Sequence, residues 1–206
     1  MSDRSNPREI YTGSTPTNID KPELSPPRNG DGRIMVVYYS RTGRTRRVAE
    51  RLARELGGTA ISIRESVRRR GLFGYLRSLL EAVTGQTSSI DPWCPVPQPS
   101  DLVILGTPVW GWHLSPPVRE FARLHAERIR RVAFFCTMGG SGDEAVFRQL
   151  ATVLGREPED TLALTEREVA LLESAPASAK ISHFVQRLRA GASSAVPSGQ
   201  EELARA

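Results

Sequence analysis

Five short, continuous and largely apolar runs alternate with amphipathic helical patterns between residues 34 and 188, and no other feature limits the possible folds as much. The runs are Ile34–Tyr39, Thr59–Ile63, Leu102–Gly106, Val132–Cys136 and Thr161–Leu164. A strand that is apolar on both faces belongs in a sheet covered on both sides. The helical patterns between and after them predict helices over Arg44–Leu56, Leu72–Val83, Pro116–His125, Asp143–Leu154 and Ala177–Leu188. In the first, Val48, Leu52, Ala53 and Leu56 make one stripe, and Gly57-Gly58 supplies a stop. Five β–α units in strict alternation imply an α/β fold: a doubly wound, five-stranded parallel sheet with right-handed crossovers, sandwiched as three α/β/α layers. Ligands of such sheets bind beyond the carboxyl ends of the strands, so the loops after the first, third and fourth strands are the places to seek chemistry.

Residues 1–32 are rich in Pro, Ser, Thr, Asn and Gly and show no hydrophobic period, which predicts a disordered tail. Residues 191–206 read as a second, shorter tail, leaving one folded domain over 33–190. No apolar run reaches the length of a membrane span, and the N-terminus lacks the layout of a secretory signal or transit peptide. The two cysteines, Cys94 and Cys136, form no CxxC pair, so neither a disulfide framework nor a zinc site is expected. That usage fits a reducing, cytoplasmic setting. Cys136, in a strand-like run, reads as a small buried hydrophobe in preference to a nucleophile.

The net charge is +5, and residues 33–190 hold 23 Lys+Arg against 16 Asp+Glu, nearly all of the cations arginine. A basic surface raises the question of nucleic acid or anionic membranes. The arginines are spread over several helices and interleaved with glutamates, however, which argues against nucleic acid; the one dense run is Arg68-Arg69-Arg70. That run leads into a Leu72–Leu80 stripe at helical spacing, which reads as an ordinary covering helix before it reads as a membrane or partner surface.

The loop after the first strand, Ser40-Arg41-Thr42-Gly43-Arg44-Thr45, opens a helix. Unpaired N–H groups and the positive dipole end at a helix start attract anions, and the Ser and Thr hydroxyls can donate to phosphate oxygens. The same residues would also serve as a plain helix cap and turn. After the third strand, Thr107-Pro108-Val109-Trp110-Gly111-Trp112-His113 precedes Ser115-Pro116-Pro117. Two tryptophans in a Gly/Pro-rich loop suit a flat aromatic ligand, or pack over the sheet end. Ser115 reads as a helix N-cap. The loop after the fourth strand, Thr137-Met138-Gly139-Gly140-Ser141-Gly142, has backbone that could lie flush against a planar ring, or be a flexible turn. The dinucleotide GxGxxG and the P-loop are unmatched, and GxSxG fails at Asp143. A Cys-x5-Arg phosphatase loop fails at Gly142. His113 could bond a ligand or be incidental, and neither His125 nor His183 has metal-ligand spacing around it.

Taken together, these three loops give the stretch from Arg33 to Ala190 a resemblance to the flavodoxin-like family, whose members bind FMN at these positions. The resemblance implies strand order 2-1-3-4-5 and, lacking a long insertion in the fifth strand, a short-chain member. It implies that Ser40, Thr42, Gly43, Arg44 and Thr45 hold the FMN phosphate, with Arg41 in the same loop. Pro108, Val109, Trp110, Gly111 and Trp112 would flank the isoalloxazine between Thr107 and His113. Met138, Gly139, Gly140 and Gly142 would lie at its other edge, with Thr137 and Ser141. Arg44 stands where the family usually has Asn. The basic charge departs from the strongly acidic electron carriers of the family.

The function this implies is a flavoprotein redox role, as an oxidoreductase passing electrons or hydride through FMN to a small acceptor such as a quinone, with NAD(P)H as a possible donor. No residue reads as a compelling acid or base for a separate step, and a reductase of this fold needs none, because hydride goes directly to flavin N5. The alternatives are a single-electron carrier between redox partner proteins, and a scaffold that has lost its flavin. Nothing in the sequence chooses between a monomer and a homodimer.

Overall fold

The computed structural model describes residues 32–64 and 95–194. The helix expected over Leu72–Val83, the run Arg68-Arg69-Arg70 and Cys94 lie outside the described residues, as do the expected tails apart from Gly32 and the last turn of the final helix. The elements are β1 (Ile34–Tyr38), α1 (Arg44–Leu56), β2 (Thr59–Ser62), β3 (Leu102–Trp110), β4 (His113–Leu114), α2 (Pro116–His125), β5 (Arg131–Met138), α3 (Asp143–Leu154), β6 (Thr161–Thr165), α4 (Glu166–Ala170) and α5 (Ala175–Ser194). Five strands pair in parallel in the order β2-β1-β3-β5-β6, the expected topology; β4 adds only a short antiparallel pairing to β3. The β5–β6 ladder runs unbroken from Phe134↔Thr161 to Met138↔Thr165.

The unbroken apolar runs have the expected cause. Successive residues of one strand enter different cores: Val36 and Tyr38, Leu102 and Ile104, and Phe135 pack against α1 and α5. Met35 and Val37, Val103 and Leu105, and Phe134 pack against α2 and α3. Side chains alternate at period two, so a sheet buried on both faces needs apolar residues at every position. Gly106 is glycine for packing: a Cβ there would lie 2.0 Å from the ring of Phe135.

Most boundaries fall where the periodicity puts them, including α1, α2 and α3. α1 stops at Gly57, with the Gly58 N–H returning to the Ala53 carbonyl at 2.8 Å. Two of the differences have physical reasons. β3 runs four residues past Gly106, because it keeps β5 as a neighbour (Thr107↔Cys136, Pro108↔Thr137) after β1 has ended at Tyr38↔Gly106. Beyond that point β3 is an edge, where proline is tolerated. α4 is a single turn fixed by a capping box, in which Thr165 Oγ1 accepts from Glu168 N–H and the Glu168 carboxylate accepts from Thr165 N–H. α5 begins two residues earlier than expected and continues to Ser194, past the boundary read at residue 190.

Arg51, largely buried on α1, ties this layer together. Its guanidinium donates to Glu55 and Glu173 carboxylates, the Leu172 carbonyl and Ser178 Oγ. At the opposite end of the sheet from the loops of interest, Asp101 (1% exposed) accepts from the backbone N–H, Nε and Nη2 of Arg33 and from Gln98 N–H. Desolvation alone would raise its pKa, but the Arg33 and backbone donors outweigh it and hold the carboxyl below its ordinary value.

Candidate functional site

The three loops singled out in the sequence meet at the carboxyl edge of the sheet. The first leads from β1 into α1. Gly43 is the N-cap at φ 87°, a conformation glycine adopts freely, and its N–H donates to Ser40 Oγ at 3.1 Å. No side chain caps α1: its first intrahelical bond is Arg47 N–H to the Gly43 carbonyl, so the N–H groups of the first turn remain for another acceptor. Ser40 Oγ and Thr42 Oγ1 both accept here, Thr42 from Arg44 Nη1 at 3.3 Å, and each keeps its own O–H to donate. Arg44 also lies 3.3 Å from Glu166 Oε1, so its charge is already partly matched. Thr45 is different: it is 2% exposed, and its hydroxyl bonds Thr137 Oγ1 at 2.9 Å. That bond ties the start of α1 to the end of β5.

The segment after Gly106, expected to be a loop, is instead strand and hairpin. Val109 pairs with Leu114 and Trp110 with His113, closing a two-residue turn at Gly111 and Trp112. Both central residues have positive φ (55° and 63°), as a type I′ turn requires. Trp112 is the one non-glycine residue at positive φ among the described residues, and the residue is 62% exposed. Such a backbone costs a bulky L-residue about 1–2 kcal/mol and persists where surrounding contacts enforce it. Those contacts are visible. Gln149 Nε2 donates to the Trp112 carbonyl at 3.0 Å, while Gln149 Oε1 accepts from Leu114 N–H at 3.1 Å. On the other side, Gly142, itself at φ 108°, leaves only enough room for the tryptophan: a Cβ there would be 2.9 Å from Trp112 Cδ1 and from Val109 Cγ1.

Trp110 is half-buried and meets Tyr39 edge-on, ring centroids 5.7 Å apart. Thr107 and Ser115 are fully buried and bond each other, hydroxyl to hydroxyl, at 2.8 Å. Ser115 precedes α2 but makes no side-chain cap, and Thr107 faces this partner, not the open edge. In the last loop Gly142 is the N-cap of α3, with no side-chain cap from Ser141. Above Gly139 and Gly140 a Cβ would meet nothing within 4 Å, so this backbone borders open space. Cys136 is completely buried in β5, and desolvation, with Asp143 adding to it, drives its thiol far above the usual range. Its complete burial fits a structural thiol and not a nucleophile. No cluster of three metal-ligating side chains occurs among the described residues, and no helix there is long and apolar enough to cross a membrane.

Sequence reasoning missed Gln149. A lone glutamine on a helix carries no signal until the hairpin it clamps is known.

The strand order, the two-sided helical cover and the three convergent loops define an α/β protein of flavodoxin-like fold. A flavoprotein from Lactobacillus acidophilus NCFM, solved in complex with FMN, is similar over 69% of this chain and 99% of its own, with a TM-score of 0.55 and 20% identity. A protein assigned as a flavoprotein from Bacteroides uniformis ATCC 8492 matches over 69% and 99%, with a TM-score of 0.55 and 21% identity. Another, from Bacteroides eggerthii DSM 20697, matches over 68% and 96%, at 0.54 and 22%. No protein-family model matches the sequence, and no curated protein is significantly similar to it.

Proposed function

We propose that this chain binds FMN at the Ser40–Thr45, Trp110–His113 and Thr137–Gly142 segments and works as a redox protein. The observation that carries this reading is convergence. The Thr45–Thr137 hydrogen bond joins the first loop to the third, and Gly142 against Trp112 joins the third to the hairpin. The residues present suit the group. The uncapped first turn of α1, with the free O–H groups of Ser40 and Thr42, offers donors to a phosphate. The exposed indole of Trp112 offers a face to a planar ring, and stacking of this kind contributes about 0.5–1.5 kcal/mol beyond area burial. Trp110, anchored on Tyr39, is the less available of the two indoles. Thr45, Thr107 and Thr137 serve as scaffold, because their buried hydroxyls bond one another or Ser115 and tie the segments together.

When bound, FMN would supply one- and two-electron chemistry. The chain's own contribution is to bind, orient and partly enclose it. The hairpin would shield one side of the ring, while Cys136 stays buried in β5. We favour an oxidoreductase that accepts reducing equivalents from NAD(P)H and passes them to a small acceptor such as a quinone. A carrier handing single electrons to a partner protein is the second reading; the net charge of +5 separates this chain from acidic carriers.

The test starts with the purified protein's visible spectrum and an FMN titration. Flavin absorbance and saturable quenching of tryptophan fluorescence are expected, and a colourless protein whose spectrum never responds to FMN would refute the reading. With flavin bound, NAD(P)H consumption in the presence of a quinone supports the enzyme; reduction only through a separate reductase supports the carrier.

A further inference from the structure

Among the described residues, half-buried Arg156 has only the Arg130 carbonyl as acceptor, but most arginines shielded from solvent face acid: Arg33 meets Asp101, Arg51 meets Glu55 and Glu173, and Arg131 meets Glu159. Arg119, on α2, does not. Its Nη2 donates to the neutral Oε1 of Gln149 at 3.0 Å, and its buried Nε–H has no acceptor. Burial holds its pKa below the usual value. Leaving a charged donor desolvated and unmatched is costly.

Arg119 lines a cleft of about 280 Å³ between α2 and α3, together with Ala145, Arg148, Gln149, Thr152 and Val153. Arg148 is exposed on α3, and among the described residues the lining contains no carboxylate. Two arginines thus line one concave site whose lining holds no counter-charge. Planar N–H forks of this kind match the several oxygens of a phosphate, and charge-assisted bonds to it are about twice as strong as neutral ones. The volume falls just below the usual range for small-molecule sites, which suits a phosphate with part of its carrier better than a folded partner.

We propose that this cleft is a second anion subsite, in which Arg119 and Arg148 hold the phosphate or pyrophosphate group of a small ligand. Gln149 places it next to the redox edge: the same side chain bonds Arg119 through Oε1 and the Trp112 carbonyl through Nε2. A phosphorylated reductant anchored there would lie one residue away from the hairpin. The subsite stands on its own residues and does not require the flavin reading.

The experiment is a calorimetric titration of the full chain with inorganic pyrophosphate, read in parallel by ³¹P line broadening. Saturable binding is expected, with Arg148→Gln and Arg119→Gln each weakening it about ten-fold. Arg123→Gln, which removes an exposed cation of α2 already paired with Glu120, should change it less than about two-fold. Arg148 is exposed, so its variant keeps the test intact if Arg119→Gln fails to fold. Thr42→Ala separates this site from the Ser40–Thr45 loop. Full binding in Thr42→Ala supports the cleft. Its loss there, undiminished binding in Arg148→Gln, or no binding to the native chain at millimolar pyrophosphate each overturns it. FMN affinity measured on the same variants reports the flavin reading separately. NADPH competing more tightly than pyrophosphate would identify a nucleotide as the source, and equal competition an inorganic ion; the subsite holds in both cases.

Discussion

Trp112 concentrates the cost and the use of this site in one residue. Its left-handed backbone is expensive for any side chain but glycine, yet the indole is exposed instead of buried, so packing energy does not account for it. Trp112→Gly should therefore leave the unfolding free energy unchanged or raised by up to about 1 kcal/mol, while weakening FMN binding about ten-fold; fluorescence titration and urea melts check both halves. Thr42→Ala should weaken FMN binding by roughly five- to ten-fold without affecting stability, because an exposed hydroxyl is removed. Asp101 predicts a pH dependence. Its folded pKa lies below that of the unfolded chain, so the ion pair with Arg33 stabilises fully above the unfolded carboxylate value of about 4, and the contribution fades as pH falls through the lower folded value. Asp101→Asn should cost about 2 kcal/mol near neutrality and flatten the acid limb of a stability–pH profile.

Among the elements, the hairpin shows where sequence patterns stop informing. The β–α alternation was legible because each element repeats one simple period over many residues. The hairpin could not be read, for two reasons. Pro108 reads as a strand breaker, and only the loss of β1 as a neighbour at Gly106 makes it tolerable. Its turn then puts Trp where type I′ turns draw Gly or Asn, so no turn signature exists. The capping box Thr165-x-x-Glu168 was present in the sequence but sits on a one-turn helix too short to show a period. Gly142 shows which element contacts matter: Gly142→Ala would drive a Cβ into Trp112 and Val109 at an unfavourable φ. It should destabilise the chain by about 1–3 kcal/mol and shift the Trp112 emission, both readable in one fluorescence-monitored melt.

Across the whole molecule, the candidate site was legible as three segments but not as roles. Sequence placed Ser40–Thr45, the two tryptophans and the glycine-rich run at one sheet edge. It could not tell that Thr45 and Thr137 face each other, that Thr107 turns inward to Ser115, or that Arg44 is shared with Glu166, because all three depend on contacts between distant segments. The four-way contact of Arg51 has a consequence for how this edge responds to ligands. It joins the helix whose first turn offers its N–H groups at the site to the segment leading into the C-terminal helix, and Arg189 reinforces that union by donating to the Glu55 carbonyl. α1 and α5 should therefore open as one cooperative unit. Occupying the first turn of α1 would then slow amide exchange along α5, far from any ligand atom, and Arg51→Met should confine that protection to α1.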